Sequence, residues 1–231
     1  MIKVAGLSSL AKSDINLYGQ KYTLASLDAE EQVILEDNFN KLLGTTDSQV
    51  RRIFEERADT IVAGIMAIKE KLNRRKFRGM NPGDAEIGIG FIRPEFVKAT
   101  DSCKSDWSVS LTAEGTWVDW LDKASNVAFP LSEDHGLIIT HLVSQVTPEP
   151  LVRVVHFQIG RIDLIPEDVS DILLGDNLNG VAVFPVPTKV VLPEDEFLAR
   201  INGAAGTGYV KLGGLVVGLG RFIKAETPSW T

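Results

Sequence analysis

The sequence is poor in the residues that do most covalent and metal chemistry. Cys103 is the only cysteine in 231 residues, which excludes an intrachain disulfide and a cysteine-based zinc site. Three histidines are present, His135, His141 and His156, and none falls in H-E-x-x-H or H-x-H spacing. No G-K-[ST] triplet ends a phosphate-binding loop, and no G-x-S-x-G elbow presents a serine nucleophile. No stretch comes near the ~20 apolar residues of a membrane-spanning helix. The opening MIKVAGLSSLAKSD breaks its apolar run at Gly6, Ser8 and Ser9, so no signal peptide is expected. A formal charge of −7 argues against whole-chain attraction to nucleic acid.

What is there suits a packed core held without cross-links. The chain is 44% hydrophobic and 24% charged, enough for one large domain or two small ones. Its pattern changes near Gly79-Met80-Asn81-Pro82-Gly83. Before that point Leu27, Ile34, Leu35, Phe39, Leu42 and Leu43 recur at helical spacing, with Gly44 as a stop. A second helix is predicted from Ser48 to Arg75, roughly 42 Å long at ~1.5 Å per residue. Within it Phe54, Ile61 and Ile68 are seven apart, as are Ala58, Ile65 and Leu72. Such an a/d seam docks either on its own domain or on a neighbouring subunit.

The end of that helix is basic. Lys69, Lys71, Arg74, Arg75, Lys76 and Arg78 surround a single Glu70, and residues 1–80 carry a net +2 against −9 for the remainder. Cations at a helix C-terminus answer the macrodipole. The alternative is contact with phosphates or with an acidic partner surface.

After Gly83 the period becomes two. Ile87, Ile89 and Phe91 alternate with Glu86, Gly88 and Gly90, and Trp107, Val109, Leu111 and Ala113 with polar neighbours. Long β-branched stretches follow at Gly136–Val146, Leu151–Ile165, Val181–Val186 and Thr188–Leu192, where Pro185 and Pro187 imply an edge or bend. Short helical turns are expected over Pro166–Leu174 and Pro193–Ile201, each opening on proline and acids. Strands so spaced, without alternating helices, predict an antiparallel β-sandwich or barrel preceded by a helical region, divided as 1–80 and 81–231. In GAAGTGYVKLGGLVVGLGR (203–221), Lys211 stands where a dinucleotide fingerprint needs glycine. Gly213-Gly214 therefore reads as a hairpin turn or as a bulge in one long strand, with Gly218 and Gly220 marking close packing.

Candidate chemistry is sparse. His135 reads as a turn residue, and His141 and His156 as strand residues. The acids of Ser132-Glu133-Asp134, Pro166-Glu167-Asp168 and Pro193-Glu194-Asp195-Glu196 suit turns and helix starts better than a paired-carboxylate or calcium site. Asp176–Gly180 lacks the full calcium-loop pattern. Trp107, Trp117, Trp120 and Trp230 are either core and interface residues or a sugar-stacking platform.

The stretches LVRVVHFQIGRIDLIPEDV (151–169) and GTGYVKLGGLVVGLGRF (206–222), with the proline-marked bends, resemble the jelly-roll capsid proteins of icosahedral viruses and phages. The similarity spans about Ile87 to Ile223. It implies a non-enzymatic, self-assembling shell subunit in a virion put together in the host cytoplasm, with no cofactor and no metal. Its partners would be further copies of itself in a large symmetric oligomer, and other capsid proteins. The helices before Gly79 would be the assembly element, with Phe54, Ile61, Ile65, Ile68, Leu72 and Trp230 at subunit interfaces. The 69–78 stretch would face the genome or an internal membrane. A jelly roll also suggests metal-dependent cupins, but Val143 occupies the place of the second histidine after His141. The alternative function is a β-sandwich module that binds carbohydrate or another surface ligand.

Overall fold

A computed structural model describes residues 14–17, 20–23, 29–44, 48–74, 87–98, 106–121, 128–144, 150–170, 180–185, 188–219 and 223. The helices α1 (Ala29–Gly44), α2 (Ser48–Glu56) and α3 (Ala58–Arg74) follow a small hairpin of β1 (Asp14–Leu17) and β2 (Gln20–Thr23). The predicted boundary at Gly79–Gly83 lies outside the described residues. Beyond it come β3 (Ile87–Phe91), the short α4 (Pro94–Val97), β4 (Ser108–Leu111), β5 (Val118–Asp119) and β6 (Phe129–Pro130). Then follow β7 (His135–Ser144), β8 (Val152–Ile159), β9 (Ile162–Asp163), β10 (Glu167–Asp168), β11 (Val181–Val183), β12 (Lys189–Val191), β13 (Glu196–Gly203) and β14 (Gly206–Leu219).

The β half forms two antiparallel sheets. One runs β3–β14–β7–β11, with β12 also on β7 and β4 on β14. The other runs β5–β13–β8–β10, with β6 on β13 and β9 on β8. The chain moves from sheet to sheet at each main connection except β8 to β10, and its last strand lies beside its first. That is the strand order of a jelly-roll β-sandwich. Leu137, Ile139, Leu142, Leu212 and Val216 of one sheet meet Val155, Phe157, Ile159, Phe197, Ala199 and Ile201 of the other in a buried core.

A third layer covers the first sheet. Phe54, Ile61, Ile65, Ile68 and Leu72 are buried against Ile89, Ile138, Val190, Leu215 and Val217, together with Phe39, Leu42 and Leu43 of α1. The heptad seam is thus taken up inside the chain. Those five residues, expected at a subunit interface, are buried within the chain itself. The helices and the outer face of that sheet share this second core, beside the one between the sheets.

The single long helix is also corrected. It breaks at Arg57, where side chains take over backbone partners. The Thr60 N–H donates to Asp59 Oδ1 (2.9 Å), and the Thr60 hydroxyl donates to the Arg57 carbonyl (3.0 Å). Local bonds of this kind compete with the helical ladder.

Two further expectations change. The segment from Pro193 is a turn leading into β13, not a helix. Glu194 has φ 68°, and Phe197–Gly203 pair with β8 over the whole strand. Cross-sheet burial of Phe197, Ala199 and Ile201 outweighs the acids' preference for a helix start. Likewise Glu167–Asp168 is β10, paired with Val155 and Val154, and of the rest of that stretch only Ser170 is described as helical.

The glycine pair is no hairpin. β14 runs unbroken for 14 residues, and the register shifts where Gly213 faces His141 and Gly214 faces Ile139. The extra residue, Thr140, is on β7. This bulge turns both Thr140 and His141 toward the helices, because Ile139 and Leu142 on either side face the sandwich core. A Cβ on Gly213 would fall on the His141 ring, and Gly214 has φ +146°, so both positions require glycine.

Candidate functional site

Three irregularities meet at one edge of the sandwich. They are the break at Arg57, the β7 bulge, and the bend between β11 and β12. The Arg57 guanidinium donates to the Phe184 carbonyl, Phe184 N–H donates to the Thr140 carbonyl (3.0 Å), and the Thr60 and Thr188 hydroxyls lie 2.6 Å apart. Beside them Lys189 of one sheet pairs with Glu167 of the other (Nζ to Oε1, 2.6 Å). The ammonium sits over the Phe184 and Phe157 rings at 4.8 and 5.6 Å. Burial lowers the Lys189 pKa, and the Glu167 carboxylate opposes that shift. This junction ties helices to sandwich and sheet to sheet. Most of its groups bond to one another, while Arg57 Nη1 and Glu167 Oε2 are buried without a hydrogen-bond partner.

The histidines divide by face. His135 opens β7 instead of lying in a turn. It is buried, with Nε2 3.0 Å from the Phe96 carbonyl, and desolvation lowers its pKa. His141 is edge-on to Phe54, ring centroids 6.0 Å apart, with Nδ1 2.8 Å from the Thr140 hydroxyl. Burial, then the Lys211 and Arg57 cations, lower its pKa to about 4. It faces the helices and not the sandwich interior, where a cupin would need a metal ligand. Among the described residues no group of three or more His, Cys, Asp or Glu could hold a metal ion.

His156 lies on the outer face of the β5–β13–β8 sheet, opposite the layer that the helices cover. Its Nε2 is 2.7 Å from Asp163 Oδ1, and the Trp117 ring stands against it with centroids 5.9 Å apart. Strand register puts Asp119, Arg200 and His156 in one row across the sheet. Trp117 is 38% exposed. The loop leading to it is tied down by Gly115 N–H to the Gly203 carbonyl (3.3 Å) and by Asn202 Nδ2 to the Gly115 carbonyl (2.7 Å). Next to it Arg153 pairs with Glu114. An exposed aromatic ring, fixed and ringed by donors and acceptors, is what a polar ligand with an apolar face can use.

Two other tryptophans, Trp107 and Trp120, pack in or against the sandwich core. Trp120 is 1% exposed and donates from Nε1 to the Val210 carbonyl (2.8 Å). Trp107 packs against it. Trp117 and Trp120 therefore do not form one platform. Trp230, Arg75, Lys76, Arg78 and the Asp176–Asn179 stretch lie outside the described residues. Lys69 and Lys71 are half-buried near the end of α3. Lys71 is close enough to Asp195 to oppose the rise that burial imposes on that carboxyl's pKa. Part of the basic end thus faces the chain's own acidic turn. Arg74 ends α3. The row on the outer sheet was not legible as a site, because its members lie up to 81 residues apart in the chain. The signal that was present was Trp117 itself.

No helix among the described residues is long and apolar enough to cross a membrane. Comparison with protein-family models, with curated proteins and with solved structures returned no match to the chain.

Proposed function

We propose that the chain is a non-enzymatic virion structural protein, a shell subunit that assembles with copies of itself and with other capsid proteins. The observation that carries this reading is the strand order, β3–β14–β7–β11 facing β5–β13–β8–β10, with both outer strands of each sheet short. A sandwich of this kind presents loops at its ends and narrow edges at its sides, and it tiles by those surfaces. The helical layer packs its seam on one sheet from outside, and α1 also carries the outward Val33 (64% exposed). Contacts between copies fall on side chains left apolar and outward, chiefly Ile165 (86% exposed) and Tyr209 (66% exposed). The localisation that follows is the virion, after assembly in the host cytoplasm.

The test is negative-stain electron microscopy with light scattering on the purified full chain, at low and high salt. Rings, capsomers or shells are expected, and Ile165→Asp is expected to shift them toward smaller species without changing the circular dichroism. A monodisperse monomer at high concentration across the salt range overturns the proposal.

A further inference from the structure

The helices bury the outer face of one sheet and leave that of the other to meet solvent around Trp117. We propose that this patch, Trp117 with His156, Asp163, Arg200 and Asn202, is a saccharide-binding site, taking a neutral hexose or N-acetylhexosamine at the end or along the length of a glycan.

Four observations converge. First, the indole is partly exposed and sits on an anchored loop. Its loop is anchored to the end of β13 by the Gly115–Gly203 and Asn202–Gly115 hydrogen bonds, and its edge rests on the His156 ring. A fixed aromatic plane lowers the ordering cost of stacking a sugar's C–H face. Second, the flanking groups are those that recognise hydroxyls. Asp163 is largely exposed and fixed at 2.7 Å to His156, so its other oxygen has room to accept from a vicinal diol. Third, charges of both signs are interspersed. Arg153 pairs with Glu114 and Asp163 bonds to the His156 ring, while Arg200 is in register with Asp119 and His156. A patch with this mixture suits an uncharged polar ligand better than a phosphate or an acidic peptide. Fourth, the sheet gives the site a rigid floor. Val118, Val155, Phe157, Ala199 and Ile201 on the reverse side of the same strands belong to or pack against the sandwich core.

The chemistry is binding alone, with no bond made or broken. It does not depend on assembly, so it stands or falls separately from the shell proposal.

The experiment uses the full chain, fluorescently labelled, on an array of neutral and N-acetylated oligosaccharides. The best array hit is then titrated in solution with tryptophan fluorescence as the readout. Wild type is expected to retain a subset of glycans. Trp117→Ala is expected to weaken binding at least tenfold at unchanged circular dichroism and unchanged oligomeric state. Trp117→Phe should recover part of it, and Asp163→Asn should weaken it without affecting fold. Binding to none of the array, equal binding by Trp117→Ala, or a preference for sulfated and sialylated glycans over neutral ones overturns the proposal.

Discussion

His141 is the residue whose ionisation the fold opposes most clearly. It is neutral in the folded chain because burial, Lys211 and Arg57 hold its pKa near 4, against 6.5 for the free side chain. The unfolded chain therefore takes up a proton first as pH falls. Stability contributed by the neutral ring is intact above about pH 6.5 and is lost progressively between there and about pH 4, to a total of about 3 kcal/mol. Urea unfolding at a series of pH values is expected to show this decline, and His141→Gln to flatten it. A wild-type curve level between pH 6.5 and 4.5 removes His141 from this role. Gly213→Ala is expected to destabilise by about 1–3 kcal/mol, because its Cβ meets the same ring. The two tryptophans should part company too. Trp120→Ala empties the core and should lose about 3–5 kcal/mol in the same assay, while Trp117→Ala should lose under about 1 kcal/mol.

At the scale of elements, the Lys189–Glu167 pair joins β12 to β10 across the edge where the sheets are open. Lys189→Met alone strands a carboxylate beside Phe157 and Phe184 and is expected to cost about 3 kcal/mol. Replacing both partners, with Glu167→Leu, should recover most of that, since paired charges in such a place stabilise little over apolar side chains of similar size. A double mutant as unstable as the single would mean the pair holds something beyond the junction. Phe54 performs the equivalent task for α2, stacked near Phe91 (6.1 Å) and against His141. The periodic elements were legible where period and burial coincide. α1, β3, β4, β7, β8 and the paired edge strands β11 and β12 fall where the apolar spacing puts them. The Pro193 segment was not, because proline and acids are a local signal, and the partner that overrides it, β8, lies about 40 residues earlier. The break at Arg57 was hidden for a different reason: a heptad count sees apolar positions, not a threonine that bonds backwards.

At the scale of the whole molecule, the described residues form three layers, with the helices covering the outer face of one sheet. The helical region is not an arm added to a sandwich, since its seam and the outer face of the first sheet form a single apolar cluster. Phe54→Ala is accordingly expected to lower the stability of the entire chain in one transition, by about 3–5 kcal/mol, rather than release a helical segment from an intact sandwich. Two separate unfolding transitions by circular dichroism would show that the layers are independent.

The sequence by itself determined the class: a chain with one cysteine and 44% hydrophobic residues that must hold itself by packing, mostly helical before the Gly79–Gly83 stretch, apart from the unforeseen β1–β2 hairpin, and mostly stranded after it. These are properties of neighbours in the chain, and period reports them directly. Only the tertiary structure decided where the seam docks, which tryptophan is surface and which is core, and that Gly213-Gly214 accommodates an extra residue on another strand. Each depends on a partner far away in sequence, whose burial and register a local pattern does not carry.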